Sequence, residues 1–262
     1  MNLNSIHSGA VFPVVIKTLH NLEDELAAEL DQLGAHNIHK HQRAVNCTCD
    51  IRGLYRFNYG LRTALRILIP LYEFEFRNAD DFYRKAKKLP WNVWLDNAST
   101  FAIDTNVKSE IFRHSHFAAL RLKDAIADFF KDATGQRPDV DRDRPDFLLH
   151  LFVQEGKAAI LLDSSGESLN RRGYRGSGAK APLNEVLAAG MILKSGWNGS
   201  HDLCIPFCGS GTLLIEAVSI AKKTSPHTSK RTFAFQHWPG FQNKIWEEIV
   251  NEFQSSENIT CA

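Results

Sequence analysis

Pro206, Phe207, Cys208, Gly209, Ser210, Gly211 and Thr212 are the residues best placed to hold a ligand. They join the apolar run Leu203–Phe207 to an apolar, helix-like run that opens at Thr212. Such a strand-to-helix loop puts glycines where the backbone must turn sharply and approach a bound molecule without a Cβ in the way. The helix start then offers main-chain N–H groups that have no partner within the helix and that suit a carboxylate or phosphate. A phosphate-cradling loop needs a lysine after its last glycine, where this chain has Thr212 and Leu213, and a dinucleotide fingerprint needs a third glycine, where it has Leu214. Cys208 has no partner histidine in the sequence pattern and is expected to be a small buried thiol rather than a nucleophile.

Other chemistry-bearing residues gather in clusters. Arg113, His114, His116, Arg121 and Lys123 fall together, as do Arg171, Arg172, Arg175 and Lys180. With a net charge of only +1, the chain does not coat nucleic acid by bulk charge, so any such contact must be local. Tyr174, between the arginines, could stack on a base or pack within its own segment. The 5 cysteines form no CxxC pair, and Cys47 and Cys49 read as alternate residues of a short apolar strand; no metal site is expected.

Elements able to position these groups can be read from periodicity. The run from Val11 is β-branched and precedes Asn21, a helix-capping residue, with Leu22, Leu26, Leu30 and Leu33 at helical spacing. Ala44–Cys49 reads as a strand, Ile51–Leu61 as a helix and Arg66–Phe76 as a strand, which together suggest an α+β unit of ferredoxin type. The His-rich patch from Ile38 to His41 reads as a solvent-facing loop. A polar helix follows Asp80, then a strand over Phe101–Val107, a helix from about Phe117 to Ala133 stopped by Gly135, and a hairpin turning at Glu155–Gly156. Ser164–Lys180 has the glycine-rich, polar composition of an interdomain linker, and the next helix, starting near Pro182, stops at Gly196.

An apolar fraction of 44% and a charged fraction of 23% are those of a chain able to bury a core. No run approaches the ~20 apolar residues of a membrane span, and the N-terminus lacks a secretion signal, so a cytoplasmic protein is expected.

PFCGSGTLLIEA resembles the first cofactor motif of class I S-adenosylmethionine-dependent methyltransferases that act on exocyclic amines of nucleic-acid bases. RRGYRGSGAKAPLNEVLAA resembles the linker and first helix of the THUMP-containing 23S rRNA guanine-N2 methyltransferases, and the upstream strands and long helix are similar to a THUMP RNA-binding domain. The resemblance runs from about Val11 to Trp246. It implies an α+β ferredoxin-like region over 1–70, a THUMP domain over 71–165, a linker over 166–181 and the start of an α/β, Rossmann-like methyltransferase domain over 182–262. It further implies that Pro206–Thr212 floor the S-adenosylmethionine site, that structured RNA, 23S rRNA, is the partner, and that Arg113, His114, Arg121, Arg171, Arg172 and Arg175 face it.

Two departures qualify the resemblance. Ile205 occupies a position that is usually acidic in the family, weakening the cofactor site. An NPPY-type motif, which would grip the target amine, and the acidic residue for the cofactor ribose do not occur after Trp246. No catalytic residue is therefore assigned, and the chain is expected to be an incomplete methyltransferase, finished by a partner or a missing C-terminal segment. The alternatives are a noncatalytic THUMP RNA-binding protein with a vestigial methyltransferase stub, and an adenine-N6-specific nucleic-acid methyltransferase.

Overall fold

The computed structural model describes residues 6, 9–174, 183–228 and 230–255. Arg175, Lys180, Pro182 and Cys261 lie outside the described residues. The chain divides into two units. The larger comprises Gly9–Ile67, Ser164–Phe233 and Gln242–Ala262, and the smaller Met1–Ser8, Leu68–Asp163 and Ala234–Phe241.

In the larger unit, β1 (Phe12–Thr18) buries alternate residues, with Phe12, Val14, Ile16 and Thr18 turned inward, as a strand with one covered face must. α1 (Glu23–Gln32) lays Leu26 and Leu30 on the same core. The helix begins at Leu22, not with an Asn21 side-chain cap: Asn21 adopts φ 65 and turns the chain into the helix. β3 (Ala44–Cys49) pairs antiparallel with β1, Phe12 opposite Cys49. Cys47 and Cys49 are both buried there, and burial pushes the Cys47 thiol up to about 12, which leaves it unreactive.

The His-rich stretch is not a loop. His36–His41 forms β2, antiparallel to β3. Its residues are nearly all solvent-facing, so it carries no apolar alternation; the ladder hydrogen bonds alone make it a strand. α2 (Ile51–Gly60) is capped by Asp50, whose carboxylate accepts from the Gly53 N–H at 2.7 Å. The first residues of β4 (Ala64–Glu75) follow, and β4 lies beside β1 to give the order β2-β3-β1-β4, a unit of the expected ferredoxin type in which β2 is a strand additional to those read from the sequence.

Ser164–Tyr174 is not a slack tether. Ser164 and Ser165 are buried; the Ser165 hydroxyl donates to Asn58 Oδ1 at 2.8 Å and accepts from the Ile67 N–H at 2.9 Å. The Leu169 N–H reaches the Leu65 carbonyl at 2.9 Å. This segment is stitched to α2 and to the beginning of β4. Beyond it come α5 (Glu185–Lys194), α6 (Thr212–Ala221) and α7 (Asn243–Ser255), α5 being capped by Asn184 through the Val186 and Leu187 N–H groups.

In the smaller unit the strand order is β4-β7-β6-β5. β6 (Phe147–Gln154) and β7 (Lys157–Asp163) form the expected hairpin, with Glu155 at φ 46 and Gly156 at φ 80. Two left-handed central residues match the twist of a two-residue hairpin. β5 (Phe101–Lys108) runs parallel to β6, so the chain must cross over between them, and α4 (Ser115–Thr134) supplies the crossover before stopping at left-handed Gly135. α3 (Ala79–Lys87) packs on α4, and Phe74, Phe76, Phe82 and Phe112 meet ring to ring beneath it. No helix of the described residues is long and apolar enough to cross a membrane.

Candidate functional site

The loop Pro206–Thr212 is built as a turn. The Gly211 N–H closes on the Cys208 carbonyl at 2.8 Å, with Gly209 at φ 51 and Gly211 at φ 80. A Cβ on either glycine would meet nothing within 4 Å, so what requires glycine is the left-handed backbone, not crowding. Gly211 caps α6 without a side-chain hydrogen bond, leaving the first-turn N–H groups for a ligand. Cys208 is exposed, which corrects the expectation of a buried thiol, and Phe207 is 93% exposed.

The expected strand Leu203–Phe207 is not formed, and no strand occurs among the described residues after Asp163. A strand exists through its ladder, and this segment has none to join. In keeping with that, Leu214, Ile215 and Val218 on α6 and Leu187 and Met191 on α5 are exposed apolar residues.

The opposite side of α6 is charged and buried. Glu216 and Arg172 form an ion pair with each side chain 1% exposed. Arg172 also donates to the Arg62 carbonyl, and the Tyr174 hydroxyl donates to Glu216 Oε1 at 2.6 Å. Burial first, and then this hydrogen bond to a carboxylate, push the Tyr174 phenol far up. Arg62 donates to Ser219 Oγ at 2.7 Å and to the Ser219 carbonyl at 2.9 Å, and burial pulls it down to about 10. Glu29 accepts from the Arg62 and Thr63 N–H groups at 2.8 and 2.9 Å; burial nevertheless raises its carboxyl.

Sequence reasoning missed this network. The one available signal was Glu216 itself, a lone charge in the apolar run TLLIEAVSIA.

His227 lies close by, 3% exposed, against Phe233 at 5.7 Å between ring centroids. Burial, and then the charges of Arg231, Arg172 and Arg62, hold its imidazole well below the ordinary range. A depressed histidine stabilises the fold above its unfolded value, and that contribution is lost as pH falls. The chain is therefore expected to lose stability as pH drops below about 6.5. Urea unfolding of the His227→Phe variant between pH 7.5 and 5 checks this: its midpoint should fall less with acid than that of the parent.

The five candidates for RNA contact that lie within the described residues separate, Arg175 being outside them. Arg113 and His114 are exposed where α4 begins. Arg121 pairs with Asp80 at 2.8 Å and lies 4.7 Å from the Tyr83 ring centroid. Arg171 is exposed and pairs with Glu167 at 3.1 Å. Arg172 is turned inside the larger unit and holds Glu216, which removes it as an RNA contact. Tyr174 does not pack within its own segment: its hydroxyl is held by Glu216 of α6, 42 positions away.

Comparison with known proteins agrees with this layout. Residues 14–68 match the RlmL ferredoxin-like domain, residues 76–163 the THUMP domain, and residues 172–262 the RMKL-like methyltransferase domain. The chain is thus similar, segment by segment, to a ferredoxin-like domain, a THUMP domain and a methyltransferase domain. Among similar proteins, "Ribosomal RNA large subunit methyltransferase K/L" of Marinomonas sp. is 34% identical over 92% of this chain and 34% of its own length. The protein of the same name in Shewanella pealeana is 37% identical over 90% of this chain and 34% of its own length. The structure of SMU.472, described as a candidate methyltransferase complexed with SAH, superposes with a TM-score of 0.85 at 26% identity, covering 96% of this chain and 66% of that one. The chain thus spans about a third of the length of the curated relatives it matches. Within that span the ferredoxin-like, THUMP and methyltransferase matches follow one another in chain order.

Proposed function

We propose that this chain is the RNA-docking and cofactor-loop portion of a cytoplasmic S-adenosylmethionine-dependent methyltransferase of the 23S rRNA guanine-N2 type. The observation that carries this is the left-handed Gly211 at the head of α6, within the segment matching the methyltransferase model. Its domains divide as 1–70, 71–165, 166–181 and 182–262.

The loop fits the amino-acid end of the cofactor. The open left-handed turn from Cys208 to Gly211 permits close approach, and the uncapped first turn of α6 donates to a carboxylate. When bound, the cofactor supplies a methyl group on a positively charged sulfur. This chain's residues would hold it: the main-chain N–H groups at Thr212 and after grip the carboxylate, and Pro206 and Phe207 floor the methionine side chain. Ile205 places no charge opposite the ammonium, so affinity is expected to be weak. A Gly211→Val substitution forces a β-branched residue into the left-handed region, and calorimetric titration with S-adenosylmethionine should show affinity reduced by about tenfold or more.

Arg113, His114, Arg171 and, beyond the described residues, Arg175 are proposed to contact RNA phosphates. Gel-shift titration of a structured 23S rRNA fragment over a range of salt tests this. Binding should weaken as salt rises, and Arg113→Ala should lower the slope of log affinity against log salt by about 1. Binding indifferent to salt would exclude a phosphate-docking role.

A partner segment that completes the methyltransferase sheet would cover Leu214, Ile215 and Val218. The exposure of that face also favours a second reading, in which the chain docks RNA without transferring a methyl group. Incubation with labelled cofactor separates the two. N2-methylguanosine in the nucleoside digest supports the enzyme alone, N6-methyladenosine changes the target base, and RNA binding without label supports the docking protein.

A further inference from the structure

The larger unit holds an open cavity of about 340 Å³, lined among others by His227, Arg172, Glu216, Tyr174, Tyr59 and Phe253. Its polar wall is unevenly satisfied. Both oxygens of Glu216 are taken, one by Arg172 and one by the Tyr174 hydroxyl. The Arg172 Nε–H, by contrast, has no partner among the described residues, and neither ring nitrogen of His227 has one. Both side chains are more than nine-tenths buried. Buried polar atoms without partners are rare in native proteins and point to a ligand or ordered water.

The charge of the wall narrows the choice. The guanidiniums of Arg231, Arg172 and Arg62 all act on His227, while the nearby carboxylate of Glu216 is already engaged. The unmet capacity is therefore an arginine donor and an imidazole in a cationic setting, which suits an oxyanion. The volume is many times the roughly 30 Å³ share of one water, and the rings of Tyr59 and Phe253, 5.3 Å apart edge to face, line the same cavity.

We infer that this cavity binds a phosphate oxyanion, free or as a monoester, through the Arg172 Nε–H and the His227 ring. The site is separate from the glycine loop and does not rest on the methyl-transfer reading.

The test is calorimetric titration and thermal unfolding of the 262-residue chain with inorganic phosphate, guanosine 5′-monophosphate and guanosine. Phosphate or the monophosphate should bind saturably and raise the melting temperature, and guanosine should do neither. The ratio of the two affinities separates a free ion from an ester. In His227→Phe, which keeps a ring against Phe233, affinity should fall by about tenfold or more. Equal binding by this variant, equal binding of guanosine, or no effect of either phosphate would overturn the assignment. A measurement on the parent chain covers the case of a misfolded variant. The imidazole ¹⁵N resonances of His227 should move on adding phosphate, and resonances that stay in place likewise overturn it.

Discussion

Replacing Glu216 with alanine should destabilise the larger unit by about 3–5 kcal/mol, because it strands the Arg172 guanidinium in the interior without its counter-charge. Both side chains are 1% exposed, so solvent screening does not soften the loss. Tyr174 loses its acceptor in the same step. Urea unfolding followed by far-UV circular dichroism should show the midpoint fall. The pair is not worth that amount in itself, since desolvating two charges offsets most of their attraction. The double variant Arg172→Met/Glu216→Leu should therefore regain much of the loss. A double variant no more stable than Glu216→Ala would show that the hydrogen bond to the Arg62 carbonyl and the Tyr174 contact matter more than the buried charge.

Trp246→Ala is expected to cost a similar amount, about 3–5 kcal/mol, by emptying the space between α7 and α2. Trp246 is 7% exposed and meets Tyr55, Tyr59 and Phe233 edge to face, with ring centroids 6.4, 5.2 and 5.5 Å away. Phe253, farther along α7, also meets Tyr59 of α2, with ring centroids 5.3 Å apart. Arg52 adds exposed ion pairs to Glu248 and Glu252, but such pairs contribute little. Limited proteolysis should accordingly cut within Asn243–Ser255 of the variant while Arg52→Ala remains resistant. Resistance of Trp246→Ala would mean that α7 is held elsewhere.

Much of the fold was legible because the physics that shapes it is local. The β-branched run of β1, the leucine spacing of α1, the Gly135 stop and the Glu155–Gly156 turn depend on residues a few positions apart. β2 was not legible, since a strand exposed along nearly its whole length has no apolar pattern and exists through its pairing with β3. Leu203–Phe207 erred the other way. It has the composition of a strand but no neighbouring strand to join among the described residues.

The glycine loop and the buried network divide along the same line. The sequence by itself determined the glycine turn and the helix that follows, because left-handed backbone and helix starts demand particular residues at particular spacings. Only the tertiary structure decided the fate of Arg172. In the sequence it stands beside Arg171 and near Arg175 as one of a basic cluster, yet Arg171 faces solvent and Arg172 is sealed against Glu216, 44 positions away. Charge type is written in the residue. Whether that charge meets RNA, a carboxylate or an anion in a cavity depends on which distant segment is folded against it.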